Sequence, residues 1–182
     1  MKIVKREVVY SGKYLRMVND YFQSDKGTGV WETVERLNVN NGAVVIVAIT
    51  RDNKIILERN WRVPLQSYVI QLPAGLTDKK AETREQAARR ELLEETGYLA
   101  NELFPIIDSP ESAVLTPTRV IHYLAKNVEY VGKEKRDIAE EIEVIKIPLS
   151  DLGDFLLNLP SDTLLDLRVT GLLWVLEKKK LI

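Results

Sequence analysis

The stretch from Thr83 to Gly97, TREQAARRELLEETG, constrains the chain more tightly than any other, because it states where one helix begins, where it ends and what it carries. Thr83 followed three positions later by Gln86 is the pattern of a capping box, in which the side chain of each residue satisfies the backbone amide of the other. Gly97 stands where a helix ends on a left-handed residue. The spacing predicts a helix over residues 84–95. With about 3.6 residues per turn, Glu91 and Glu95 share one face and Glu94 lies on the shoulder of Glu91. Three carboxylates on one stripe repel, at roughly 0.2–0.5 kcal/mol per neighbouring pair, and only the Arg90 to Glu94 spacing offers local relief. An acidic face turned to water would carry the same pattern, so the surroundings have to decide what the crowding is for.

Around that helix the pattern is mainly strand. Residues 8–22 and 31–38 are β-rich, with turn chemistry from Ser24 to Gly29 between them, which predicts an N-terminal hairpin. AVVIVAI, from Ala43 to Ile49, is an unbroken apolar run of strand length, and IILERN and YVIQLP follow it as further central strands. After the acidic helix come more strands, among them EIEVIKIP from Glu141 to Pro148. A short helix is expected from Ser150 and a longer one from Ser161, in which Leu165, Val169, Leu172, Leu173 and Leu176 recur at helical spacing. The class is α+β.

Composition removes several functions. The chain has 182 residues, 45% of them hydrophobic, enough for one domain with a sizeable core. Its 26 Lys and Arg against 27 Asp and Glu leave a net charge of −1, so no overall field favours nucleic acid or an anionic membrane, and neither is expected as a partner. There is no cysteine and one histidine, which excludes disulfides, thiolate nucleophiles and thiolate or His-rich metal sites. Carboxylates are the metal ligands left. No apolar run reaches the roughly 18 residues of a membrane span, and MKIVKREVVY lacks a signal core, so a cytoplasmic protein is expected.

Immediately before the helix, LPAGL ends a strand in Pro73-Ala74-Gly75, a tight turn able to bring a backbone carbonyl beside it. A carbonyl together with several carboxylates is the oxygen-rich set that Mg²⁺ or Mn²⁺ prefers.

From Gly75 to Tyr98 the chain resembles the Nudix box: Glu82, Arg90, Glu91, Leu92, Glu94, Glu95 and Gly97 stand in that motif's order and mutual spacing. It departs at one point, with six residues rather than five between Gly75 and Glu82. The extra residue falls in a loop, where a change of length is cheap and leaves the helical carboxylates in register. The resemblance implies a Nudix α/β/α sandwich with a mixed sheet. It makes Glu91 and Glu95 the principal ligands of Mg²⁺ or Mn²⁺, with Glu94 assisting and the Ala74 carbonyl completing the set. Gly75, Glu82, Arg90 and Gly97 become structural members of the motif.

The flanks, WETVER, ERNWRVP, LPAGL and EEIEVIKIPLSDL, are similar in order and spacing to the branch of the family that hydrolyses ADP-ribose and ADP-sugars. In that branch the N-terminal strands form a small β element, here residues 1–40, which is exchanged across a homodimer and contributes aromatic residues that stack on adenine; Tyr14 and Trp31 occupy the similar positions. Residues 41–182 would form the hydrolase domain. Arg36 and Arg62 resemble the arginines that grip the diphosphate, although taken alone each is a surface ion-pairing residue. The general base in similar enzymes is an acid just before the late strand. Asp137, Glu140 and Glu141 are the candidates, and Glu140, two residues before Ile142, is preferred. The implied reaction is metal-dependent hydrolysis of a nucleoside diphosphate sugar, ADP-ribose to AMP and ribose 5-phosphate. GDP-mannose, a dinucleoside polyphosphate, or binding of ADP-ribose without cleavage are the other readings. One loop departs from the branch: where Ser-Pro-Gly is usual, this chain has Ser109-Pro110-Glu111, and Glu111 would add negative charge near an anionic substrate unless it binds metal or faces solvent. His122, in the strand-like RVIHYLA, is given no role.

Overall fold

The computed structural model describes residues 1–39, 42–136, 138 and 140–182; Asp137, one of the three candidate bases, lies outside them. Lys2–Ser11 (β1), Leu15–Ser24 (β2) and Gly27–Arg36 (β3) form a three-stranded antiparallel sheet. The expected hairpin is therefore β2–β3, closed by Asp25 and Lys26, and a further strand precedes it. The stretch taken as one β-rich unit is divided at Gly12 to Tyr14, where the Gly12 amide donates to the Leu15 carbonyl at 2.8 Å and turns the chain back. β1 is exposed at every residue, and besides its ladder with β2 it is tied down by Arg6, which reaches Asp20 and Glu35 at 2.5 Å each.

The remaining elements in chain order are Ala43–Thr50 (β4), Lys54–Arg62 (β5), Ser67–Gln71 (β6), Ala74–Leu76 (β7), Arg84–Thr96 (α1), Tyr98–Leu99 (β8), Glu102–Pro110 (β9), Arg119–Tyr130 (β10), Ile142–Pro148 (β11), Leu152–Leu157 (α2), Thr163–Leu165 (β12) and Arg168–Lys178 (α3). The strands form one mixed sheet, with β4 parallel to β10, β12 parallel to β6, and the other pairs antiparallel. β4 is buried on both faces, which is why its sequence is continuously apolar rather than alternating. Val44, Ile46, Ala48 and Ile56 pack with Ala87, Ala88 and Leu92 of α1. Val45, Val47, Ile49, Ile55 and Leu57 pack on the opposite side with Leu152 of α2 and Val169, Leu172 and Leu176 of α3. Helices thus cover both faces, as expected of a Nudix α/β/α sandwich.

The last helix begins later than its periodicity suggests, at Arg168 rather than Ser161. Thr163–Leu165 instead pair with Tyr68–Ile70 as an edge strand, and the Asp166 amide adds a bond to the Ile70 carbonyl at 2.9 Å. Leu165 still packs on the core, but from a strand. No helix among the described residues is long and apolar enough to cross a membrane.

The feature that positions the site is a fork in the sheet. β4 and β5 share only the rungs Ala48–Ile56 and Ile49–Ile55. Beyond them β5 pairs with β6 through Glu58–Gln71 to Arg62–Ser67, while the start of β4 pairs with β7 through Val45–Ala74 to Ala43–Leu76. The two halves part, and the acidic stripe of α1 looks into the gap.

Candidate active site

α1 is capped as its sequence requires. The Thr83 hydroxyl accepts from the Gln86 amide at 3.2 Å, the Gln86 carboxamide oxygen accepts from the Thr83 amide at 2.9 Å, and Gly97 closes the helix at φ 75° with its amide on the Leu93 carbonyl. The helix is pressed onto β7. A β-carbon built on Gly75 would lie 1.9 Å from Glu91 Cδ, so glycine alone lets the strand pass this carboxylate.

Arg90 offsets much of the charge crowding at Glu91 and Glu94, and Lys79 Nζ adds a contact to Glu94 at 3.4 Å. Arg90 donates Nε at 2.7 Å and Nη2 at 2.9 Å to the two oxygens of Glu82, and Nη2 also meets the Leu76 carbonyl at 3.1 Å. Its Nη1 reaches Glu91 Oε1 at 2.7 Å and Glu94 Oε2 at 3.0 Å. A planar fork with five donors can serve this many acceptors where a lysine cannot. The longer loop before Glu82 ends with Ala81 in a left-handed conformation, φ 60°, and the Glu82 amide donates to the Lys79 carbonyl at 3.2 Å.

Glu95 is buried, and its Oε2 accepts from the Ala74 amide at 3.0 Å. Behind it stands Glu58 of β5, fully buried, whose Oε2 accepts from Gln71 Nε2 at 3.0 Å; the Gln71 oxygen in turn accepts from Arg62 Nε at 2.8 Å. Among the described residues Glu58 Oε1 has no hydrogen-bond donor other than a protonated Glu95. The two carboxyl groups act on each other in opposite senses: Glu58 disfavours ionisation of Glu95, whereas a hydrogen bond from Glu95 favours ionisation of Glu58. Burial pushes Glu58 up to about 7, against the pull of Gln71, and burial with the neighbouring Glu58 pushes Glu95 well above the carboxylate range. Glu91 is likewise raised to about 7 by burial, with Arg90 opposing. Buried carboxylates held this far up need a compensating positive charge to ionise at neutral pH. A hard divalent cation would supply that charge, and the oxygens at hand, of Glu91, Glu94, Glu95 and Glu58, are of the kind that would hold it. Among the described residues no three acidic or imidazole groups are gathered into a ready metal cage, since Arg90 holds Glu91 and Glu94 while the Ala74 amide holds Glu95.

Glu58 escapes a motif reading because it lies outside the box. Its signal is in the strand: with period two, Ile56, Glu58, Asn60 and Arg62 share the face of β5 turned to α1, and that face changes from apolar to polar at Glu58.

A cleft of about 490 Å³ opens at the fork. Ala74, Gly75, Arg90, Glu91, Glu94 and Glu95 line it, and so do Arg36, Arg62, Glu111 and Glu140. Glu141 does not; its carboxylate accepts from the Tyr68 hydroxyl at 2.7 Å. Arg36, itself exposed, is paired with Glu111. Tyr14 and Trp31 stand apart from the cleft and from each other. Trp31 is opposite Asp20 and Tyr14 lies beyond the Leu15–Arg36 rung, five rungs away or about 17 Å, so one copy of the chain does not bring the two rings together. Both are exposed, and Trp31 Nε1 donates to the Val114 carbonyl at 2.9 Å. His122 is buried with Nδ1 3.2 Å from the Ile107 carbonyl, a packing role.

A cleft lined by both carboxylates and arginines suits an anhydride of two phosphates: the first can hold cations, the second grip anionic oxygens. The comparisons agree with that class of hydrolase. Residues 40–166 match the NUDIX domain, and the chain belongs to the Nudix family of pyrophosphohydrolases. It is 32% identical over 152 residues to the ADP-ribose pyrophosphatase of Bacillus subtilis, covering 82% of this chain and 80% of that one. Over 154 residues it is 30% identical to the methanol dehydrogenase activator of Bacillus methanolicus, with 82% and 80% covered. A solved structure described as an ADP compounds hydrolase superposes with a TM-score of 0.80 at 25% identity, covering 97% of this chain and 92% of that one.

Proposed function

We propose that the chain hydrolyses ADP-ribose to AMP and ribose 5-phosphate with Mg²⁺, or Mn²⁺ in its place. The observation that carries this reading is the cleft at the fork, which gathers Glu91, Glu94 and Glu95 with Arg36, Arg62 and Glu140. The similarity to an ADP-ribose pyrophosphatase over 82% of the chain favours that substrate over GDP-mannose or a dinucleoside polyphosphate.

In this reading Glu91, Glu95, Glu94 and the Ala74 carbonyl hold the cations, with Gly75, Glu82, Arg90 and Gly97 keeping them in place. Bound there, the cations neutralise the diphosphate and make the attacking water more acidic. Arg62, oriented by Gln71, and Arg36 hold the phosphoryl oxygens. Glu140, on the cleft, takes the proton from the water as its oxygen bonds to one phosphorus. The bond from that phosphorus to the bridging oxygen breaks, and this oxygen leaves with the other phosphate. Glu141 is set aside because Tyr68 holds it away from the cleft.

Residues 1–40 serve as the dimerisation and base-stacking element and 41–182 as the hydrolase domain of a cytoplasmic homodimer. Exposed Ile3, Val4, Val8, Val9 and Tyr10 on the outer strand support a second copy as the occupant of that surface. In such a dimer Trp31 of one copy and Tyr14 of the other stack on the adenine.

The test is release of AMP from ADP-ribose beside ADP-glucose, GDP-mannose and diadenosine polyphosphates, with Mg²⁺, Mn²⁺ or EDTA. Metal-dependent turnover highest on ADP-ribose supports the reading; saturable binding with no turnover replaces it with a binding module.

A further inference from the structure

Glu111 begins the loop that departs from the usual Ser-Pro-Gly, and it lines the cleft. Its amide donates to the Thr118 carbonyl at 2.9 Å, closing the loop on itself. The loop rests on the N-terminal sheet by two further bonds, Val34 amide to the Leu115 carbonyl at 2.8 Å and Trp31 Nε1 to the Val114 carbonyl at 2.9 Å. Against that support the Glu111 carboxylate takes the fork of Arg36, Oε1 to Nη2 at 2.7 Å and Oε2 to Nε at 3.4 Å.

Two features separate this pair from an ordinary surface bridge. Both residues line the cleft that holds the α1 carboxylates, and their side chains are only 37% and 25% exposed. A carboxylate on a guanidinium fork also has the geometry of a phosphate on the same fork, with two oxygens on two parallel donors. The loop is anchored by backbone bonds that do not need the carboxylate, and a partly exposed pair adds little to stability. What the pair governs is access to Arg36.

We propose that Glu111 is an affinity-limiting counterion that competes with the substrate's diphosphate for Arg36. A diphosphate entering the cleft has to displace the Glu111 carboxylate, so the pair weakens binding of the anionic substrate. This rests on the assignment of Arg36 to the diphosphate under the proposed function.

The experiment compares wild type, Glu111→Gln, Arg36→Ala and the double variant. It measures KM and kcat on ADP-ribose, and Kd by calorimetry for its α,β-methylene analogue in Mg²⁺. Glu111→Gln keeps the size and the loop bonds and removes the charge. We expect its KM and Kd to fall about two- to fivefold, the factor a partly exposed ion pair commands, with the change on KM rather than kcat. Arg36→Ala should raise both constants, and in that background Glu111→Gln should have no further effect. Unchanged or higher KM and Kd in Glu111→Gln, or the same fall with Arg36 absent, overturns the proposal. If Glu111→Gln does not fold, Glu111→Gly carries the same expectation. A wild type that binds the analogue without turning over ADP-ribose removes the hydrolase reading alone, and the Kd shift still decides on Glu111; a wild type that binds neither removes both.

Discussion

Gly75 and Glu91 occupy nearly the same space: a β-carbon on Gly75 would fall 1.9 Å from Glu91 Cδ and 2.1 Å from its Oε1. The close approach of β7 to α1, which puts the Ala74 amide on Glu95 as well, depends on this absent side chain. Gly75→Ala must move either the strand or the carboxylate. Overpacking of this kind costs typically 1–3 kcal/mol, and we expect a loss of roughly that size in urea unfolding together with a fall in kcat of at least tenfold. A variant with wild-type kcat would show that Glu91 need not stand where it does.

Arg90 serves Glu82, Glu91, Glu94 and the Leu76 carbonyl with one guanidinium. Arg90→Lys retains the charge but not the fork. Its expected outcome is folded protein, less stable by about 1–3 kcal/mol, with impaired turnover. If stability and kcat are unchanged, the charge alone suffices and the hub has no geometric role.

Stability of the metal-free protein should fall as pH rises from about 4.5 to about 7. Glu58 and Glu91 have folded-state values of about 7 against an ordinary 4.5, so across that window the unfolded chain is ionised while the folded one holds protons. Their contribution is complete below pH 4.5, declines through the window and is constant above it. Melting temperatures in EDTA at pH 5 and pH 8 test this, and Glu58→Gln, which removes one of the groups, should shrink the difference. Equal differences in the two proteins would mean that Glu58 titrates normally. Added Mg²⁺ should recover stability at pH 8 in the wild type.

These residues differ in how far sequence alone exposes them. The capping box, the C-terminal glycine and the Glu91–Glu94–Glu95 stripe are local, set by spacings of three and four along one helix, and all were legible. Arg62 was found but not its partner, because Gln71 reaches it across two strands whose register is a tertiary fact. Glu111 looks like a stray charge in the sequence for the same reason: its counterion, Arg36, is 75 positions away. The late start of α3 was hidden because Leu165 and Val169 satisfy a helical period whether or not the first belongs to a strand. Pairing of Thr163–Leu165 with β6 outweighed that period. At Gly12 to Tyr14 a three-residue turn inside a β-rich stretch gave no punctuation strong enough to divide it.

Trp31→Ala should raise KM for adenine nucleotides, since stacking on a base is worth about 1–3 kcal/mol, with kcat little changed. Equal KM values in variant and wild type would leave Trp31 as the residue that anchors the Val114 carbonyl and nothing more.

In the proposed function the α1 carboxylates act through bound cations to cleave the diphosphate. Glu95→Gln addresses this most directly, because it removes an ionisable oxygen donor and relieves the crowding with Glu58 and Glu91. AMP release from ADP-ribose should be rapid in wild type with Mg²⁺, absent with EDTA, and lost by several orders of magnitude in Glu95→Gln, while the metal-free variant melts no lower than wild type. Turnover in Glu95→Gln close to wild type, or wild-type turnover undiminished by EDTA, would contradict the account.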